Sequence, residues 1–205
     1  MSITATQIEA AASRWGLSDV FAGAHTEVES LADYGNLLLH WNARVALTAI
    51  RDEAEVIERH LMEGVFAAVH HPGGSNVLDF GSGTGIPGIP IAICRGDVFV
   101  TLAEANRKKA SFLQEVIRTV QSPASVHAER AETLPPASFD AVWMRAVEKS
   151  ATMFPVAASL VAGDGALCLF GTSEPPDLSA SGKWRWKSVP FPGANARVLH
   201  IGRRI

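Results

Sequence analysis

Apolar residues follow two different rhythms along this chain. Before Pro72 they recur at helical spacing. Thr4 to Arg14 is a short amphipathic segment, and Val28, Leu31, Leu38 and Trp41 form one apolar stripe on a helix from His25 to Trp41. Asp52 suits an N-cap, and Asp52-Glu53-Ala54-Glu55 opens a further helix to about Val69. Pro72-Gly73-Gly74 ends it. From Ser75 onward, short apolar runs alternate with helical stretches. Strands are expected over Asn76–Phe80, Asp97–Ala103, Ser125–Ala128, Phe139–Met144 and Gly165–Phe170. Helices are expected to about Cys94, with Pro87 or Pro90 in the first turn, and over Asn106–Gln121 and Val147–Val161. Trp184–Val189 and Ala196–Gly202 close the chain as a strand pair without a helix between them.

Strands alternating with helices specify an α/β protein with a parallel, doubly wound sheet. The final pair adds an antiparallel strand at one edge. The expected division is an N-terminal helical extension, residues 1–72, packed on a Rossmann-like core, residues 73–205. The length of 205 residues suits one such domain with an extension, and 47% apolar residues can fill its core. No internal repeat or low-complexity tract interrupts it.

Charge changes the picture only locally. The net charge is −3, yet Lys183, Arg185, Lys187, Arg197, Arg203 and Arg204 fall in a C-terminal stretch without an acid. Such a patch can hold an anion despite the overall sign. Cys94 and Cys168 lie in apolar runs outside any CxxC or metal-ligand spacing, so they are expected to be buried free thiols, and no metal is expected. Met1 to Leu17 lacks a basic start followed by an apolar run, and no apolar stretch reaches bilayer length. A cytoplasmic protein without membrane attachment is expected.

The chemistry centres on Val77-Leu78-Asp79-Phe80-Gly81-Ser82-Gly83-Thr84-Gly85, an apolar strand that runs into glycines and then a helix. Glycine permits the sharp turn and lets a ligand approach bare backbone at the carboxyl end of the strand. Gly83 to Gly88 also fits the dinucleotide fingerprint. Asp79 argues for a different ligand, because in the strand before the glycines it can serve an ammonium group, directly or through water, and would repel a pyrophosphate. Pro87 crowds the helix start a pyrophosphate needs. Glu104 ends the second strand, where it can accept from both ribose hydroxyls of any adenosine ligand. Together these favour S-adenosylmethionine over NAD. Glu132, in Arg130-Ala131-Glu132, either meets the adenine edge or lies in a solvated loop. Arg145 ends the fourth strand, where it can hold the cofactor's carboxylate, hold a substrate phosphate, or form a surface ion pair.

These residues resemble the bacterial small-subunit ribosomal RNA guanine-N7 methyltransferase family, also called glucose-inhibited division protein B. The similarity runs from about Leu37 to Leu169 and is best over Val77 to Ile93, where Gly85-Ile-Pro-Gly88-Ile-Pro90 is its most specific part. Trp41-Asn42, Leu47-Thr48, Arg51-Asp52, Arg59-His60, Asn106-Arg-Lys-Lys109, Phe112-Leu113, Phe139-Asp140 and Arg145-Ala146 support it. The resemblance implies a class I methyltransferase fold with a mostly parallel seven-stranded sheet. It implies cofactor contacts at Gly81, Ile86, Glu104, Ala131, Glu132 and Arg145, to which the glycine turn adds Asp79, Gly83 and Gly85. This chain departs from the family at Ala46, at Glu63-Gly64 and at Phe170, which replaces a basic residue.

Guanine N7 has an exposed lone pair and no proton to lose, so catalysis by positioning suffices, with Arg145 the one candidate to assist. No Asn-Pro-Pro-Tyr type motif and no suitably placed cysteine nucleophile suggests another acceptor. Candidates for RNA contact are Arg51, Arg59, His60, Arg107, Lys108 and Lys109, with 16S ribosomal RNA or the small subunit as partner and a monomer as the expected state. Lys183-Trp184-Arg185-Trp186-Lys187 can bind phosphate and stack on bases, or form an edge strand with its tryptophans turned inward. His70-His71 is expected at a solvated helix end. A methyltransferase for a small molecule and a nucleotide-binding module without catalysis are the alternatives.

Overall fold

A computed structural model describes residues 2–145, 152–172, 174–193 and 197–205. The N-terminal helices are α1 (Ala5–Arg14), α2 (His25–Asn42), α3 (Glu53–Val56) and α4 (Glu63–Val69), with a π-helical stretch, Ile57–Met62, joining the last two. Thr4 caps α1 through a capping box with Gln7, and the Asp52 side chain accepts from Glu55 N at 3.0 Å at the start of α3. The core follows as β1 (Asn76–Phe80), α5 (Gly88–Cys94), β2 (Phe99–Ala103), α6 (Arg107–Val120), β3 (Ala124–His127), β4 (Phe139–Met144), α7 (Met153–Leu160), β5 (Val161–Gly171), β6 (Trp184–Pro190) and β7 (Val198–Arg204). Residues 147–151 of the expected seventh helix, and Ala196 of the last strand, lie outside the described residues.

The seven strands form one sheet in the order β3-β2-β1-β4-β5-β7-β6. β1 to β5 are parallel, and β7 runs antiparallel to β5 and to β6 in the closing hairpin. Strand alternation divides the core between the two faces. Val77, Trp143 and Cys168 face the N-terminal helices, α5 and α6, whereas Leu78, Val142 and Leu167 face α7. The order reverses between β1 and β4, and such a switch point opens a crevice at the carboxyl ends of the strands. Register fixes what meets there. Phe80 lies abreast of Ala103 and Met144, and Met144 of Leu169. The next residue of each strand, Glu104, Gly81, Arg145 and Phe170, therefore lines up along one sheet edge.

Three local details refine the sequence reading. His71 is buried, not solvated. Its Nε2 lies 3.0 Å from Gly74 O and its ring stacks near Trp143, while His70 stacks on Phe66 with ring centroids 4.1 Å apart. Trp184 and Trp186 are half-buried against the core, and Arg204 covers Trp184, so the edge-strand reading of this segment holds. Gly64 is explained by packing, since a Cβ there would collide with Pro90 where α4 crosses α5. No described helix is long and apolar enough to cross a membrane.

Candidate cofactor and acceptor cleft

The glycine turn is built on an acid and held from two sides. Asp79, 1% exposed, accepts from Gly88 N at 3.1 Å, which ties the end of β1 to the start of α5. Burial pushes its pKa up to about 7. The carboxylate thus supports the turn from below, and of the two expected routes to a ligand ammonium, direct or through water, its burial leaves the indirect one. From one side, the Glu104 carboxylate accepts from Gly83 N at 2.9 Å and from Asn106 N at 2.7 Å. From the other, the chain's one tyrosine reaches in from α2. Tyr34 is fully buried and donates to Thr84 O at 2.6 Å.

Above this support the backbone is bare. Gly81 takes φ +70°, and a Cβ built on it would meet nothing within 4 Å. Gly83 also has positive φ. A cleft of about 740 Å³ opens here, within the usual range for a cofactor site. Gly81, Ser82, Gly83, Thr84 and Ile86 form one wall, with Lys109 beside them. The loop from Leu47 to Ile50 forms a second, and Arg59, His60, Arg145, Phe170–Thr172, Phe191 and Arg197 close the third.

The third wall is an ion network around a buried acid. Glu63, 1% exposed, pairs with Arg197 and lies 3.3 Å from Arg145 Nη2, without hydrogen-bond geometry to the latter. Arg145 also donates to Arg59 O at 2.7 Å and to His60 Nδ1 at 3.0 Å, and its guanidinium lies 5.9 Å from the Phe170 ring centre. Burial raises the pKa of Glu63, while Arg145 and Arg197 oppose the rise. One buried carboxylate faces three guanidinium groups, counting Arg59, so this wall attracts anions.

The expected site residues thus separate. Gly81, Gly83, Ile86, Arg59, His60, Lys109 and Arg145 line the cleft. Asp79, Gly85 and Glu104 brace its floor; Gly85 is crowded by Ile89 and Leu113 and offers a ligand no room. Ala131 is buried, and Glu132 pairs with Arg130 at 3.0 Å on the loop after β3. Arg51 and Lys108 stand off the walls: Arg51 donates to Asn42 O near the end of α2, and Lys108 is exposed. Tyr34, Phe191 and the pairing role of Glu63 were not expected, and Arg197 was expected only as part of the C-terminal basic stretch. Glu63 left a signal as a family departure and as a lone acid between Leu61-Met62 and Val65-Phe66 in a helical run.

A switch-point crevice, an open Gly81 turn and an acid at the end of β2 are what an adenosyl sulfonium needs. The fold and the cleft define an S-adenosylmethionine-dependent methyltransferase. The chain belongs to the family described as rRNA small subunit methyltransferase G, whose model matches residues 27–180. A protein named ribosomal RNA small subunit methyltransferase G from Rhodospirillum centenum is 36% identical over 194 residues, 90% of this chain and 89% of that one. Its namesake from Chromobacterium violaceum is 38% identical over 141 residues, 68% of each chain. Among solved structures, magnesium protoporphyrin IX methyltransferase from Synechocystis PCC 6803, with bound SAM, superposes with a TM-score of 0.57 at 16% identity, over 83% of this chain and 97% of that one. That last likeness speaks to the fold alone.

Proposed function

We propose that this chain transfers the methyl of S-adenosylmethionine to N7 of a guanine in 16S ribosomal RNA of the small subunit, acting as a monomer in the cytoplasm. One observation carries the reading: a bare glycine turn and a cationic wall share a single cleft. The turn, Gly81 to Ile86, suits the cofactor, with Glu104 turning from Gly83 N toward the ribose and the Ala131-Glu132 loop at the adenine end. The wall of Arg59, Arg145 and Arg197, with Lys109, suits an RNA strand whose affinity comes from phosphate contacts. Arg51 and Lys108 extend that surface beyond the cleft.

The cofactor supplies an electrophilic methyl. The protein's part is positioning, because N7 needs no base. Ile86 and the Leu47–Ile50 loop shield the reacting centre from water, and the Glu63 network holds Arg145 still beside it. We further propose that residues 1–72 form an extension that completes the cleft of a core spanning residues 73–205.

The test is incubation with radiolabelled S-adenosylmethionine and small subunits lacking the modification, followed by mapping of the label. Label at a guanine N7 of the small-subunit RNA is the expected result. Label absent from RNA, or found on another atom, overturns the reading.

A further inference from the structure

Among the described residues lining the cleft, His60 is the one with a buried ring nitrogen that has no hydrogen-bond partner. It sits in the π-helical stretch before α4, is 4% exposed, and walls the cleft. Arg145 Nη1 approaches its Nδ1 at 3.0 Å. A guanidinium only donates, so Nδ1 must accept. In a neutral ring the proton then sits on Nε2. That atom is buried and has no partner among the described residues. Burial and the nearby charges of Arg145, Arg59 and Arg197 push the pKa down to about 3, with Glu63 the acid in the same network. The ring is therefore neutral at working pH. An unpaired buried donor is costly, and one fixed in place beside a ligand cleft marks the spot for an acceptor.

We infer that His60 Nε2–H is a specificity-determining donor to O6 of the acceptor guanine. This rests on the guanine-N7 reading and deepens it. Guanine presents N7 and O6 side by side as acceptors, whereas adenine presents N7 beside an amino donor. A fixed donor next to the methylated nitrogen accepts the first base and leaves two donors facing each other with the second. Position favours the base over the cofactor. His60 bonds Arg145 just past the end of β4, on the wall that also carries Arg197, whereas Gly81 to Ile86 form a separate wall. A neutral donor also suits the chemistry, because the purine becomes positively charged as its N7 gains the methyl, and a charged imidazolium would oppose that.

Two substitutions separate this role from mere support of Arg145. In His60→Asn the side-chain oxygen can replace Nδ1 and keep the Arg145 bond, but nothing reaches the Nε2 position. In His60→Gln the amide reaches the Nε2 position as a donor. The measurement is kcat/KM for small subunits, together with the affinity for S-adenosylhomocysteine. We expect His60→Asn to lose about tenfold or more in kcat/KM while cofactor affinity stays unchanged, and His60→Gln to keep most of the activity. His60→Asn with wild-type kcat/KM, or with higher activity than His60→Gln, overturns the inference, as does a loss that follows cofactor affinity. The wild-type control distinguishes failures. If it labels guanine N7 and the variants disagree with expectation, the donor role alone falls. If it labels no guanine, the reading beneath it falls.

Discussion

Two buried side chains show how single residues set the properties of the glycine turn. Tyr34 spends its hydroxyl on Thr84 O, in the middle of that turn. Tyr34→Phe keeps the ring packed near Phe112 and removes only this bond. It should cost about 1 kcal/mol of stability, a fall in Tm of about 2–4 °C, and should weaken S-adenosylhomocysteine binding roughly three- to tenfold by calorimetry. Unchanged affinity would show that the turn holds its shape without the tether. Asp79 gives a pH signature. Its folded pKa of about 7 lies above the ordinary 3.8, so between these values the folded chain holds a proton that the unfolded chain has lost. Stability then falls as pH rises from about 4 to about 7 and stays low above that. Asp79→Asn has no such proton. Relative to wild type it should gain up to about 4 kcal/mol between pH 4 and pH 8 in urea denaturation, and parallel pH profiles would contradict this.

The elements were legible in the sequence where their signals are local. The glycine turn, the Asp52 cap and the strands β1 and β4 follow from patterns a few residues long, and each stands where those patterns place it. Arg59, His60 and Arg145 were legible singly, but the pairings that build the third wall and brace the turn were not, because they join residues far apart. Arg145 reaches His60 across 85 positions and Tyr34 reaches Thr84 across 50. No short window contains both partners. Phe191 and Arg197 come from the C-terminal region where the family resemblance fades; charge marked Arg197 as part of an anion-binding stretch without placing it at the cleft, and nothing marked Phe191. Glu63 and Phe170 stood out only as departures, and both prove to contact Arg145. The start of α5 carries its own prediction. A Cβ on Gly88 would meet Leu102 Cδ2 and, at 2.7 Å, Asp79 Oδ2, so Gly88→Ala has to push a buried strand residue and the acid that holds the turn. It should destabilise the fold by about 1–3 kcal/mol, as overpacking does, with a matching fall in urea midpoint. A loss below the error of the measurement would mean that α5 can slide away from the sheet.

At the scale of the whole molecule, the N-terminal helical region and the sheet line one cleft. The helical region contributes the Leu47–Ile50 loop, Arg59 and His60, and the ends of the strands contribute the glycine turn, Arg145 and Phe170. The C-terminal hairpin adds Phe191 and Arg197. Three distant parts of the chain thus meet around a space floored by bare backbone at Gly81. Filling that space is the direct test. Gly81→Val places its Cβ where, chain neighbours aside, none of the described residues stands within 4 Å, so the fold should survive at a cost of about 1–3 kcal/mol from the positive φ. Calorimetric titration with S-adenosylhomocysteine should then show binding to the wild type and none to Gly81→Val, with both proteins melting as folded domains. Undiminished binding by the valine variant would place the cofactor elsewhere and contradict the account.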